Sequence, residues 1–305
     1  MKTLWIFSAL VLAALFNESH QIQNILVVTG STEDGTRHPL SGNKYKIVSQ
    51  KVEIWSQQKT QCVVPDYPVA VSSAVGFWTA QGPTVCGGSS YTIYHLEESP
   101  CYFFNNKQHQ WMPWTPLKKK RRSASAIVTQ IDRNEALIIG GGIVGSFAPN
   151  RVNSTEILSP SGSIEGEFPV AISGHCTFKI NSTHGLITGG RQYGSDSSAT
   201  WYVDLTTKTF TPGPEMRSKR WKHGCATFQM GGKRYGIVSG GSIDGKCPEV
   251  GDFGFQLDST EVIDLDQRSP TWNEGMHEKS KIVLPVLLLK SFFLNCRPKI
   301  TKKVV

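Results

Sequence analysis

The 305-residue sequence predicts an all-β fold of the β-propeller class, on three observations. An apolar stretch closes on a glycine pair at Gly87-Gly88, Gly140-Gly141, Gly189-Gly190 and Gly240-Gly241, with a degenerate first copy ending at Gly30-Ser31. The second members of these pairs fall at positions 31, 88, 141, 190 and 241, a period close to fifty residues. The composition, 29 Gly and 16 Pro with 39% hydrophobic residues and no long helical period, suits a loop-rich β architecture. A period near fifty implies four-stranded units that stack, because one twisted sheet cannot bury both of its faces alone.

Each unit reads the same way along the chain. An apolar strand leads into the glycine pair, as in Thr84-Val85-Cys86, Leu137-Ile138-Ile139, Leu186-Ile187-Thr188 and Ile237-Val238-Ser239. Glycine pairs fit where a strand leaves its sheet through dihedrals closed to other residues, or where a second backbone comes close. A loop follows, then a strand on one template: Glu53-Ile54-Trp55-Ser56, Glu156-Ile157-Leu158-Ser159 and Glu261-Val262-Ile263-Asp264. The stretches Cys101 to Asn105 and Trp201 to Asp204 fit it less closely. An aromatic comes next at strand distance, at Trp111, Phe210 and Trp272.

A strand ending in Gly-Gly, a strand beginning with Glu and a following aromatic resemble kelch repeats, and the resemblance covers residues 24–275. It implies a kelch-type β-propeller with about five blades present. The first unit begins on its second strand, so the resemblance implies an inner strand supplied from the other end of the chain. Residues 276–305 form an atypical basic and apolar tail in which Pro285 interrupts the apolar run. Two arrangements follow: a five-bladed ring closed by that tail, or an incomplete six-bladed ring, which is the preferred expectation.

Residues 1–19 read as a signal peptide, with Lys2, an apolar run from Leu4 to Phe16 and polar Asn17-Glu18-Ser19. The run is short for a membrane span. Asn153-Ser154-Thr155 and Asn181-Ser182-Thr183 are glycosylation acceptors in expected loops. Of seven cysteines, Cys86 and Cys101 are expected on neighbouring strands of one unit, and Cys176 and Cys225 at equivalent places in adjacent units. Both pairs are disulfide candidates, although pairing does not follow from sequence. These features together predict a secreted, extracellular protein.

Net charge is +8, but the tail carries seven Lys or Arg against Glu278 alone, leaving the body about +2. Such a body lacks the broad basic face of a nucleic-acid binder, so no nucleic-acid partner is expected. The run Lys118 to Arg122 is read as a solvated junction, in preference to a nuclear-import patch or a processing site. No cysteine or histidine spacing suggests a metal, and no nucleophile turn of the Gly-x-Ser-x-Gly kind occurs. No cofactor and no catalytic residue is assigned. His175 and His223 recur at the repeat period and are read as structural.

Loops joining second to third strands emerge on the same face as segments joining consecutive units, and that face is the expected binding surface. Its candidate residues are Arg37, Tyr67, Tyr91, Arg151, Arg191, Tyr193, Arg217, Arg220 and Trp221, of types enriched where protein interfaces bind most tightly. The predicted function is a monomeric binding module for an extracellular protein or glycan. Kelch resemblance also admits a sugar-processing enzyme of the epimerase or oxidase kind, or an intracellular substrate adaptor if the leader is misread.

Overall fold

The structure, a computed structural model, describes residues 10–12, 24–37, 44–56, 64–89, 99–143, 150–192, 195–243 and 255–275. Strands β1 (Leu10–Leu12), β2 (Asn24–Arg37) and β3 (Lys44–Ser56) form one antiparallel sheet in the order β1-β2-β3. Four meanders follow. The first is β4 (Val75–Thr79), β5 (Gly82–Cys86), β6 (Ser99–Asn105) and β7 (Gln110–Leu117). The short β8 (Arg121–Arg122) leads into the second, formed by β9 (Ser125–Gln130) and β10 (Glu135–Ile139), then, past the two-residue β11 (Gly142–Ile143), by β12 (Ser154–Ser159) and β13 (Gly162–Glu167).

Short β14 (Ile172–Ser173) opens the third, made of β15 (Cys176–Lys179) and β16 (His184–Thr188) and, after β17 (Arg191–Gln192) and β18 (Ser195–Asp196), of β19 (Thr200–Asp204) and β20 (Phe210–Pro212). The fourth has β21 (Gly224–Met230) and β22 (Lys233–Ser239), then short β23 (Ser242–Ile243) and β24 (Phe255–Gln256), then β25 (Thr260–Asp264) and β26 (Trp272–Glu274). All four meanders share one topology, each strand pairing antiparallel with the next long strand.

The cores lie between successive sheets. Val75 and Phe77 of the first meander pack with Ala136, Ile138 and Leu158 of the second. Ile127, Leu137 and Ile139 of the second pack with Ile172, Ile187 and Val203 of the third. Phe178 and Leu186 of the third meet Val238, Ile263 and Trp272 of the fourth. The second and third sheets thus each have apolar residues for two neighbours, the arrangement a stacked repeat requires.

The glycine pairs hold this stacking. Gly88 N, Gly141 N and Gly190 N donate to the carbonyls of Arg121, Ile172 and Arg220, each the first residue leading into the following meander, at 3.0, 2.7 and 2.8 Å. A Cβ on the first glycine of each pair, Gly87, Gly140 or Gly189, would lie 2.4 to 2.6 Å from that same carbonyl oxygen. All six glycines have positive φ. Four residues before each lead-in position, counting Val71 as that of the first meander, stands a buried anchor: Tyr67, Leu117, Phe168 and Met216.

Two expectations are modified. The slot beside β2, assigned to the far end of the chain, is taken by Leu10–Leu12, an apolar stretch within the expected leader that pairs with Leu26–Val28. The run Lys118 to Arg122 is not wholly solvated: Arg121 is 1% exposed and ion-paired to the buried Glu156. The amides of Lys118 and Lys119 donate to the same carboxylate. The tail, residues 276–305, lies outside the described residues.

Both candidate cysteine pairs are bonded in the structure. Cys86 and Cys101 face each other across β5 and β6, and Cys176 on β15 joins Cys225 on β21 in the adjacent sheet. Among the described residues, no helix is long and apolar enough to cross a membrane.

Candidate functional site

Beyond each glycine pair the chain makes one or two further pairings that lie outside the long sheets, and these build the candidate site. In the second meander Gly142 pairs with Arg122 on one side and Arg151 on the other. In the third, Arg191 pairs with Ser173 and Asp196. In the fourth, Ser242 pairs with Trp221 and Gln256. The first meander contributes Ser72 opposite Ser89. Directly opposed residues in antiparallel pairs project to the same side. Each meander therefore presents one rung of up to three side chains, fixed by the same backbone bonds and differing in chemistry.

Adjacent rungs touch. The Arg191 guanidinium lies 4.7 Å from the centre of the Trp221 ring, and Lys222 Nζ lies 4.5 Å from it, so two cations share one indole. Arg191 Nε is 3.0 Å from Asp196 Oδ1, whose side chain is 2% exposed. Burial pushes the Asp196 carboxyl up, with the charge of Arg191 opposing it. Arg151 is held below its usual range, first by burial and then by the charge of Arg191, with Asp196 opposing. Its Nε is shut off from solvent with no hydrogen-bond partner.

The structure brings Arg151, Arg191 and Trp221 together and separates the other candidates. Tyr67 is 1% exposed and donates to the carbonyl of Val85 at 3.0 Å, serving as a core anchor because its position repeats that of Leu117, Phe168 and Met216. Arg220 is 0% exposed and paired to Glu261, so it stands beneath the rungs. The Arg217 side chain reaches Glu274 on β26 at 3.1 Å. Arg37 lies at the end of β2, where its backbone pairs with Lys44. Tyr91 and Tyr193 lie outside the described residues. Sequence reasoning missed Arg122, Gly142, Asp196, Ser242 and Gln256 as rung members; a signal exists for Gly142 and Ser242, which like Arg191 directly follow a glycine pair, and for Arg122, which follows a lead-in residue, whereas Asp196 and Gln256 stand at no common offset.

Asn181 is exposed in the turn between β15 and β16, at the end of the sheet opposite the rungs, and its Oδ1 accepts from the amides of Thr183 and His184. Asn153 is exposed two residues beyond Arg151, on the rung side. Among the described residues, no group of three His, Cys, Asp or Glu side chains gathers as a metal site would.

No family model matches the chain, and no curated protein matches it. Among solved structures it is similar to that of YjhT, with a TM-score of 0.60 and 11% identity over 90% of this chain and 84% of that one. In all, 227 solved chains match, so the likeness establishes a widely shared architecture and selects no activity. What these comparisons establish is an all-β, propeller-like fold.

Proposed function

We propose that the chain is a secreted kelch-type propeller of about five repeat units, and that it binds an extracellular protein or glycan through the face formed by the rungs. The observation that carries this reading is the contrast within the repeat. Backbone bonds at the rung positions recur from sheet to sheet, whereas the side chains there change from Ser-Ser to Arg-Gly-Arg, Ser-Arg-Asp and Trp-Ser-Gln. A position held by the fold but free in chemistry is where recognition is placed at least structural cost. Arg and Trp at its centre are residues on which interfaces depend most.

Secretion is supported by the leader-like composition of residues 1–19, the two acceptor sequences and two disulfides, bonds that persist in oxidising compartments. Expression in animal cells should put a chain starting between residues 17 and 24 in the medium, so that the Leu10–Leu12 strand leaves with the leader and vacates the slot beside β2, with glycan on Asn181 facing away from the binding surface. Affinity capture from native extracellular fluid tests the face itself. A partner held by the unaltered propeller should be lost with Arg191→Ala or Trp221→Ala, and undiminished capture by both folded variants would overturn the assignment.

A further inference from the structure

Gly142 is unlike the glycines of the pairs. It has no positive φ, and among the described residues a Cβ built on it would meet nothing closer than 3.8 Å. Neither backbone strain nor crowding requires glycine there. Its absent side chain instead leaves a notch between Arg122 and Arg151, which flank it on the two neighbouring segments. With neighbouring strands spaced about 4.8 Å apart, the two arginines start roughly 10 Å from each other on the same side, enough for one small oxyanion between their guanidinium groups. Arg122 is exposed, and its Cγ and Nε lie 3.9 Å from the Gly142 Cβ position, along the wall of the notch.

Charge on this part of the face is one-sided. Among the described residues, Arg151 and Arg191 act on one carboxylate, Asp196, which is already engaged with Arg191, and Arg122 adds a further cation on the Gly142 rung. Among the described residues, the rung positions beside Trp221 are the uncharged Ser173, Ser242 and Gln256, and Lys222 adds another cation. Such a compact group suits one acidic side chain better than a polyanionic glycan, which would need a longer basic track. The indole of Trp221 already carries two cations and is not a bare platform for a sugar ring. A planar guanidinium pairs two N–H donors with the two oxygens of a carboxylate, a match no ammonium makes.

We propose that the Gly142 notch is a carboxylate-binding subsite, in which Arg122 and Arg151 hold an Asp or Glu side chain of a partner protein. The proposal rests on the rung face being the binding surface and names the partner chemistry it selects. Binding is measured by fluorescence anisotropy with a labelled, C-terminally amidated peptide of alternating Gly and Glu, against a Gly-Gln peptide and a heparin tetrasaccharide.

The Glu peptide binds and the Gln peptide does not. Arg151→Gln weakens binding at least tenfold, and so does Gly142→Leu, which fills the notch and removes no charge. Lys118→Gln, a change at an exposed lysine outside the rungs, stays within twofold. Absent Glu-peptide binding, an equal loss with Lys118→Gln, full binding by folded Gly142→Leu, or preference for heparin through the same arginines overturns the subsite. If the peptide fails while Arg191→Ala still abolishes capture of the native partner, only the carboxylate assignment falls; if neither responds, the face assignment falls with it.

Discussion

Arg220 donates to Glu261 across 2.7 Å with side chains 0% and 2% exposed, and the pair repeats Arg121 and Glu156 two meanders earlier. In the other two meanders the equivalent positions hold Ile172 with Trp201, and Val71 with Tyr102, so the charges come together or not at all. A third position changes with them. Glu261 also accepts from the amides of Arg217 and Ser218, as Glu156 does from Lys118 and Lys119. Where the glutamate is absent, the residue matching Arg217 is Pro169 or Pro68, which has no N–H to satisfy. The three positions form a unit because each buried polar group needs its partner.

Removing one member of that unit leaves a buried charge or donor without its partner. Arg220→Met should cost about 3 to 5 kcal/mol in urea unfolding. The change to Arg220→Ile with Glu261→Trp orphans the Arg217 amide, and adding Arg217→Pro to it should recover about 1 kcal/mol or more. No recovery from the proline would show that the three positions are not coupled.

Glycine substitutions separate backbone strain from crowding. Gly231 has φ +60 with nothing within 4 Å of its Cβ position, so Gly231→Ala should cost about 1 kcal/mol. Gly189 has φ +58 and its Cβ position lies 2.5 Å from the Arg220 carbonyl oxygen. Gly189→Ala should therefore cost several times more, because the added methyl pushes the third and fourth meanders apart; equal losses in thermal melts would contradict this.

Burial pushes His175 and His223 down to about 3, and no hydrogen bond reaches either nitrogen of His175. Unfolded histidine titrates near 6.5, so between pH 6.5 and 3 the unfolded chain binds more protons than the native one. Stability is then full above pH 6.5 and declines as pH falls towards 3, by up to about 1.4 kcal/mol per pH unit for each histidine. His175→Phe should flatten the urea-unfolding profile in that window, and an unchanged slope would refute the assignment.

The sequence carried the long sheets legibly because their determinants are local and recur: an apolar strand, two glycines, a Glu-led strand, an aromatic. Trp111 and Trp272 even donate to equivalent carbonyls, those of Pro65 and Pro214. Arg121, Arg220 and Tyr67 were harder, since an isolated arginine or tyrosine reads as surface and its burial depends on a glutamate or carbonyl far along the chain. Aligning units on the lead-in residue, rather than on the glycines, exposes both the anchor series and the Arg–Glu exchange. The rungs were least legible. Their strands are two residues long or single bridges, formed by contacts between segments rather than by any local preference.

The central claim, that recognition occurs on the rung face, is tested most directly by a hydrogen-exchange footprint of the propeller with its captured partner bound. Protection should rise at residues 121–122, 142–143, 191–192 and 195–196 and at Trp221 and Ser242, and stay unchanged in the turn at Asn181. Protection confined to that turn or to the outer strands β7, β13, β20 and β26 would contradict the account.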